Sequence, residues 1–211
     1  MSLRPSLHRE RAAWADEALL VGVDEAGRGP LAGPVVAAAV VFPPGCRAVR
    51  GLRDSKILLP RVRRVLALRI RERALAFGVG AASSHEIDRL NIRVASALAM
   101  RRAICALLRC PSLAARPHRI LIDGLPLPEV GYPHDALVDG DARCQSIAAA
   151  AILAKTVRDR LMERLATRHP GYGWHTNMGY GTEEHHEGLQ ALGPTCHHRR
   201  TFAPIAQLTL F

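Results

Sequence analysis

The sequence predicts a single α/β domain, and three observations point to it. Short apolar runs of strand length recur at residues 19–23, 35–42, 75–82, 119–123 and 136–138. Longer stretches with apolar residues at helical spacing lie between and after them, one starting near Pro60, one over 91–108 and one over 144–169. Finally, three of the runs end in acid: Asp24, Asp123, and the pair Asp139 and Asp141. Ligands of α/β sheets collect at strand ends, so carboxylates far apart in sequence can converge there.

The first 18 residues read as a polar helix or loose arm and carry no assigned role. Residues 19–23 and 35–42 then form a hairpin with chemistry at its bend, because D-E-A-G-R-G-P-L-A-G-P between them is too rich in glycine and proline for regular structure. Asp24 follows a wholly apolar run, and a carboxylate at the end of a buried strand needs a partner, which a cation would supply. Successive strand side chains point to opposite faces, so Asp24 and Glu25 share one site only where the strand ends or twists. Gly27 and Gly29 permit that distortion and the close approach of a phosphate, and Arg28 between them has an open path to a polyanion.

Beyond the hairpin, Asp54, Ser55 and Lys56 occupy a loop before a helix that opens at Pro60, a residue suited to a first turn. Val62, Val65, Leu66 and Ile70, with Arg69, mark one face of this helix, its arginines mostly outward. Residues 75–82 are the third strand of a meander, 85–88 a short acidic turn, and 91–108 a helix. A buried strand at 119–123 repeats the order of apolar run then acid, 125–133 is irregular, and 136–138 is a further short strand. The longest helix, 144–169, carries an A-A-A-A run suited to close packing on a sheet. Its Lys155 and Asp159, four residues apart, pair on one face. In W-H-T-N-M-G-Y-G-T, Tyr180 stands between two glycines. It can cover a hydrophobic edge, or stack on a sugar or base and bond a 2′-hydroxyl, the group that separates RNA from DNA.

Composition narrows the class. A chain of 211 residues suits one domain with a sizeable core. No apolar run approaches the ~20 residues of a membrane span, and the N-terminus has no apolar signal core, so a cytoplasmic protein is expected. Five scattered cysteines give neither a C-x-x-C pair nor a disulfide scaffold. The net charge is +10, from 29 basic and 19 acidic residues; if four acids form a metal site, the other 15 face all 29 bases. A basic body around an acidic pocket suits a polyanion held over bound cations. Converging carboxylates repel unless a hard cation joins them, so Mg²⁺ or Mn²⁺ is expected.

Several blocks, taken in order, resemble the type 2 ribonucleases H, the ribonuclease HII family. They are D-E-A-G-R-G-P-L-A-G-P-V-V, D-S-K at 54–56, H-E-I-D-R-L-N-I at 85–92, I-D-G at 122–124, G-D at 140–141, S-I-A-A-A-A-I-L-A-K-T-V-R-D at 146–159, G-Y-G-T at 179–182 and H-R-R-T-F-A-P-I at 198–205. The resemblance covers roughly residues 20–205.

That resemblance implies a ribonuclease-H-like fold, a mixed sheet of about five strands flanked by helices with a C-terminal helical segment. It divides the chain into an N-terminal arm at 1–18, a catalytic domain at 19–205 and a tail at 206–211. It further implies a monomeric endonuclease that hydrolyses the RNA strand of RNA/DNA hybrids and incises 5′ of ribonucleotides embedded in duplex DNA, leaving 3′-hydroxyl and 5′-phosphate ends. Asp24, Glu25, Asp123 and Asp141 match the family's acids for a two-metal site. Asp139 competes with Asp141 on chemistry alone, and the family pattern of G-D followed by S-I-A-A favours Asp141. Strand parity would let Glu25 coordinate through its backbone carbonyl. Gly27, Arg28 and Gly29 correspond to the turn that reads the ribose beside the scissile phosphate, Lys56 to a phosphate contact, and Tyr180 to the tyrosine at the RNA-to-DNA junction. The chain departs from the family at Ala151, Leu125 and Met178; the last replaces a common lysine and removes a phosphate contact. The closing Q-L-T-L-F resembles the peptide by which bacterial replication and repair proteins dock on the sliding clamp, with Gln207, Leu208, Leu210 and Phe211 as anchors. Two other classes fit parts of the pattern: a non-catalytic nucleic-acid-binding module, and a resolvase or transposase of the same fold.

Overall fold

The computed structural model describes residues 4–55, 57–113 and 116–208, apart from the side chain of Leu208. The elements in order are α1 (His8–Ala15), β1 (Leu19–Ala26), β2 (Val35–Val41), α2 (Pro60–Arg73), β3 (Ala76–Ala82), α3 (Ser84–Leu108), β4 (His118–Asp123), β5 (Asp135–Leu137), α4 (Gly140–Arg143), α5 (Gln145–Arg168), α6 (Trp174–Asn177), α7 (Glu183–Leu192) and α8 (Ala203–Leu208).

The five strands form one mixed sheet in the order β3-β2-β1-β4-β5, as expected. β1, β2 and β3 pair antiparallel as a meander, while β4 and β5 add to the far side of β1 in parallel. Strand parity sorts the core into two layers. Leu19, Val21 and Val23 of β1 and Val35, Ala37 and Ala39 of β2 face α3, where Ala99, Ala103, Ile104 and Leu107 meet them. Ala38 and Val40 face the other way, toward Ala148 to Leu153 of α5 and Leu66 and Ile70 of α2. The alanine run brings the α5 backbone so close that a Cβ on Gly22 would sit 2.3 Å from the Ser146 carbonyl carbon. Asp24 lies two residues beyond Gly22 on that same face of β1.

Three local readings change. Residues 85–88 are not a turn but the first turn of α3, because Ser83 and Glu86 form a reciprocal capping box. The helix breaks instead at Asn91, at φ 66°, whose side chain accepts the amides of Arg93 and Val94 and restarts it. α5 is therefore the longest uninterrupted helix. On α2, Val62 and Val65 are exposed, and the buried stripe is Arg63, Leu66, Ala67 and Ile70. Arg63 turns inward because Asp159 of α5 accepts its guanidinium at 2.8 Å and the Ser55 carbonyl at 2.6 Å. Lys155 also donates to Asp159, at 2.6 Å, so the pairing along α5 is observed and serves a link between helices.

The N-terminal segment docks through α1. Glu10 is buried, and its Oε1 accepts the amide and hydroxyl of Ser146 and the thiol of Cys144 at the start of α5. A carboxylate there meets the positive end of the helix dipole. Among the described residues no helix is long and apolar enough to cross a membrane.

Candidate active site

The parallel register of β1 and β4 sets Val23 beside Ile122, so Asp24 and Asp123 stand side by side where that pairing stops, β4 ending at Asp123 while β1 runs on beside β2 to Ala26. β5 joins β4 with Leu137 opposite Asp123, and the chain turns at once into α4. The Gly140 amide donates to Asp123 Oδ1 at 2.7 Å, which holds Asp141 in the adjoining turn. Asp139 is exposed and left-handed at φ 54°. Asp141 is partly buried and is one of the charges acting on Asp24.

Burial holds the Asp24 carboxyl well above the usual carboxylate range, and the charges of Glu25, Asp123 and Asp141 push it further. The Glu25 amide, 2.6 Å from Asp24 Oδ1, offsets part of this. Glu25 is raised as well, first by burial and then by Asp123, against the pull of Arg28 at 3.3 Å. The four sequence-predicted acids thus share one field. Among the described residues no three His, Cys, Asp or Glu side chains are already drawn together as a metal cage. The donor chemistry nevertheless fits a hard divalent cation: oxygen ligands only, buried, mutually repelling, with one cationic partner at the edge.

Beside the acids lies the G-R-G turn. Two arginines that sequence reasoning passed over build it, and both side chains are fully buried. Arg199 donates to the carbonyls of Gly27 at 2.5 Å, Arg28 at 2.7 Å and Gly33 at 3.0 and 3.1 Å. Arg158 donates to the carbonyls of Pro34 at 3.0 Å, Ala32 at 3.1 Å and Met178 at 2.9 Å. Burial lowers both guanidinium pKa values, that of Arg199 to about 9, with Arg158 adding its like charge. Carbonyl dipoles take the place of carboxylates, so the turn stands over concentrated positive charge. Arg158 had a signal in the sequence: it lies on the buried stripe Ile147, Ala151, Ala154, Arg158, Met162.

The two glycine turns meet here. Leu31 and Ala32 donate their amides to the Gly179 carbonyl at 2.8 and 3.3 Å. A Cβ on Gly29 would stand 3.8 Å from Tyr180 Cε1, and the Tyr180 side chain is 45% exposed. The structure therefore gathers Asp24, Glu25, Asp123, Asp141, Gly27, Arg28, Gly29 and Tyr180 on one edge of the sheet. Met178 is left-handed at φ 52° and bonded through its carbonyl, so its backbone conformation shapes the turn. Lys56 lies outside the described residues, as do Leu210, Phe211 and the side chain of Leu208; Gln207 is exposed on α8.

Gly27 is at φ 95°, and a Cβ there would be 1.9 Å from Arg158 Nε. Gly27→Ala is expected to displace Arg158 and lower kcat/KM by about 100-fold, since both backbone strain and a lost clamp act together. Steady-state cleavage assays check this; activity within a factor of two of wild type would show the turn to be indifferent to its conformation.

A sheet of this order with acids at the carboxyl ends of neighbouring strands defines a ribonuclease-H-like enzyme. The comparisons agree. The family model described as Ribonuclease HII matches residues 21–205. The ribonuclease HII of Synechococcus sp. (strain JA-3-3Ab) is 51% identical over 209 residues, covering 98% of this chain and 91% of the relative. The crystal structure of ribonuclease H2 from Pyrococcus horikoshii OT3 superposes with a TM-score of 0.70 at 26% identity, over 90% of this chain and 96% of that one. The ribonuclease HII in the PCNA:RNase HII complex from Archaeoglobus fulgidus gives a TM-score of 0.69 at 26% identity, over 87% and 95% of the two chains. The chain belongs to the ribonuclease HII family, and it is a ribonuclease H, an endonuclease. This replaces the binding-module and resolvase or transposase readings.

Proposed function

We propose that residues 19–205 form a catalytic domain that hydrolyses the RNA strand of RNA/DNA hybrids and incises duplex DNA 5′ of an embedded ribonucleotide, leaving 3′-hydroxyl and 5′-phosphate ends. The observation that carries this is that the G-R-G turn, which follows the acids in the chain and is bridged to Glu25 by Arg28, is held by Arg199 and joined to the Tyr180 turn through Arg158 and the Gly179 carbonyl. Asp24, Glu25, Asp123 and Asp141 would hold two Mg²⁺ or Mn²⁺ ions. When bound, such ions activate water and stabilise the leaving 3′-oxygen. Asp24 and Asp123, fixed by the parallel register, set the position of the scissile phosphate. Backbone groups of Gly27, Arg28 and Gly29 read the 2′-hydroxyl next to it, and Arg199 prevents the turn from yielding. Tyr180 stacks on the sugar at the RNA-to-DNA junction, and Lys56 contacts a phosphate. The chain's net charge of +10 attracts the duplex.

The test is a labelled DNA duplex with one ribonucleotide, incubated with Mg²⁺, Mn²⁺ or EDTA beside an all-DNA duplex. Metal-dependent incision 5′ of the ribonucleotide is expected, with the control uncut; cutting of the control or cutting in EDTA would defeat the reading. The C-terminal Gln207, Leu208, Leu210 and Phe211 would dock on a sliding clamp, a reading in keeping with the Archaeoglobus relative solved with PCNA. Retention on immobilised bacterial clamp should vanish when residues 207–211 are deleted, and unchanged retention would remove this part.

A further inference from the structure

The buried side chains behind Tyr180 form a chain of hydrogen bonds whose proton positions are dictated by its ends. The Thr195 amide donates to His198 Nδ1 at 2.9 Å, so that nitrogen is an acceptor and the proton resides on Nε2. His198 Nε2 faces His185 Nε2 at 3.0 Å, and Trp174 Nε1, which can only donate, reaches the same His185 nitrogen at 3.1 Å. His185 Nε2 therefore accepts and its proton lies on Nδ1, 2.9 Å from the Tyr180 carbonyl. All three rings are shielded from solvent, and Tyr172 stacks on Trp174 with centroids 5.1 Å apart. The Thr182 amide also donates to the Tyr180 carbonyl, at 2.9 Å, within the same turn.

We propose that His185 is a positioning residue for substrate recognition: its Nδ1–H, fixed in that tautomer by Thr195, His198 and Trp174, anchors the Tyr180 turn against α7 and so sets where the tyrosine ring meets the sugar. This rests on the assignment of Tyr180 to the RNA-to-DNA junction. Both histidines work only when neutral. A proton on His185 Nε2 would confront the N–H groups of Trp174 and His198, and one on His198 Nδ1 would confront the Thr195 amide. Burial lowers His185, and burial with the neighbouring His185 and His197 lowers His198 to about 4. The charged groups facing the pair are Glu184 and His186 on α7, with His169 and His197 from the neighbouring segments.

The experiment compares His185→Gln, His185→Asn, Tyr180→Ala and the double variant Tyr180→Ala/His185→Gln on a duplex with one ribonucleotide and on an RNA/DNA hybrid, with melting temperatures alongside. The Asn amide nitrogen occupies the place of Nδ1 and keeps the bond to Tyr180. The Gln amide reaches the place of Nε2 and keeps the bonds to Trp174 and His198. A crossed pattern is expected. His185→Gln should lose about tenfold in kcat/KM on the single ribonucleotide and less on the hybrid, whereas His185→Asn should melt lower yet stay within about twofold in activity. The double variant should be no worse than Tyr180→Ala. If Tyr180→Ala is impaired and His185→Gln is not, the proposal fails while the junction reading stands. A silent Tyr180→Ala defeats both. Should His185→Gln not fold, the wild-type ratio of single-ribonucleotide to hybrid cleavage decides: burial holds both histidines below their usual value, His198 at about 4, so the ratio should stay constant through pH ~6.5 and fall as pH approaches 4, and a ratio unchanged down to pH 4 overturns the proposal.

Discussion

Asp24→Asn is expected to abolish cleavage and at the same time to raise the melting temperature of the metal-free protein. The loss follows from removing an anionic oxygen at the strand end where the phosphate and its cations would be held, an interaction of several kcal/mol and on the order of 10³-fold in rate. The gain in stability follows from sign. Burial and the charges of Glu25, Asp123 and Asp141 raise the folded-state pKa of Asp24, so the folded protein binds this proton more tightly than the unfolded chain. Stability from this group is therefore present at low pH and lost as pH rises through the window above the ordinary carboxylate value. At neutral pH the ionised side chain works against the fold. Asparagine keeps the shape and an oxygen for the Glu25 amide while removing the charge. In EDTA each kcal/mol of repulsion relieved adds about 2–4 °C to Tm in a domain of this size. Scanning calorimetry with and without Mg²⁺ checks this: the wild type should gain more from Mg²⁺ than the variant does. A lower Tm for Asp24→Asn in EDTA would mean that the acids are already compensated.

Arg199→Lys is the second large effect. The guanidinium donates to the carbonyls of Gly27, Arg28 and Gly33, which diverge across a fork that one ammonium cannot span. Lysine satisfies one carbonyl and strands others in a buried setting, at about 1–3 kcal/mol for each. A total of about 3 kcal/mol corresponds to a fall in Tm of about 6–12 °C. Cleavage should fall further than stability accounts for, because the carbonyls set free belong to the turn proposed to read the ribose. Unfolding in urea and cleavage assays below the transition separate the two effects; a variant destabilised but fully active when folded would reduce Arg199 to a core residue.

The sheet and the acids were legible because each rests on a local rule. The apolar runs before Asp24 and Asp123 mark β1 and β4, although β1 continues past its apolar run to Ala26, and the ribonuclease HII blocks gave the acids their order. Most of what the sequence concealed depended on partners far along the chain. Arg63 reads as helix surface, and Arg158 draws no notice, until Asp159 and the carbonyls of Ala32, Pro34 and Met178 are seen to receive them. Residues 85–88 read as a turn because acid and histidine suggest solvent, but the capping box needs only Ser83 and Glu86 to start a helix. Glu10, in an arm given no role, proved to hold the start of α5. A buried ion or capping carboxylate is invisible to periodicity, since its location is set by the group it meets.

The stitching of residues 24, 123, 141 and 199 into one edge has a consequence for when the protein becomes a nuclease. β1 is synthesised early, yet its parallel neighbour arrives some hundred residues later and the clamp on its turn later still. A ribosome that has made only the first half of the chain holds an acidic hairpin with neither the opposing aspartates nor a rigid turn. On the site proposed above, a growing chain is therefore expected to gain cleavage only once residue 199 has been made.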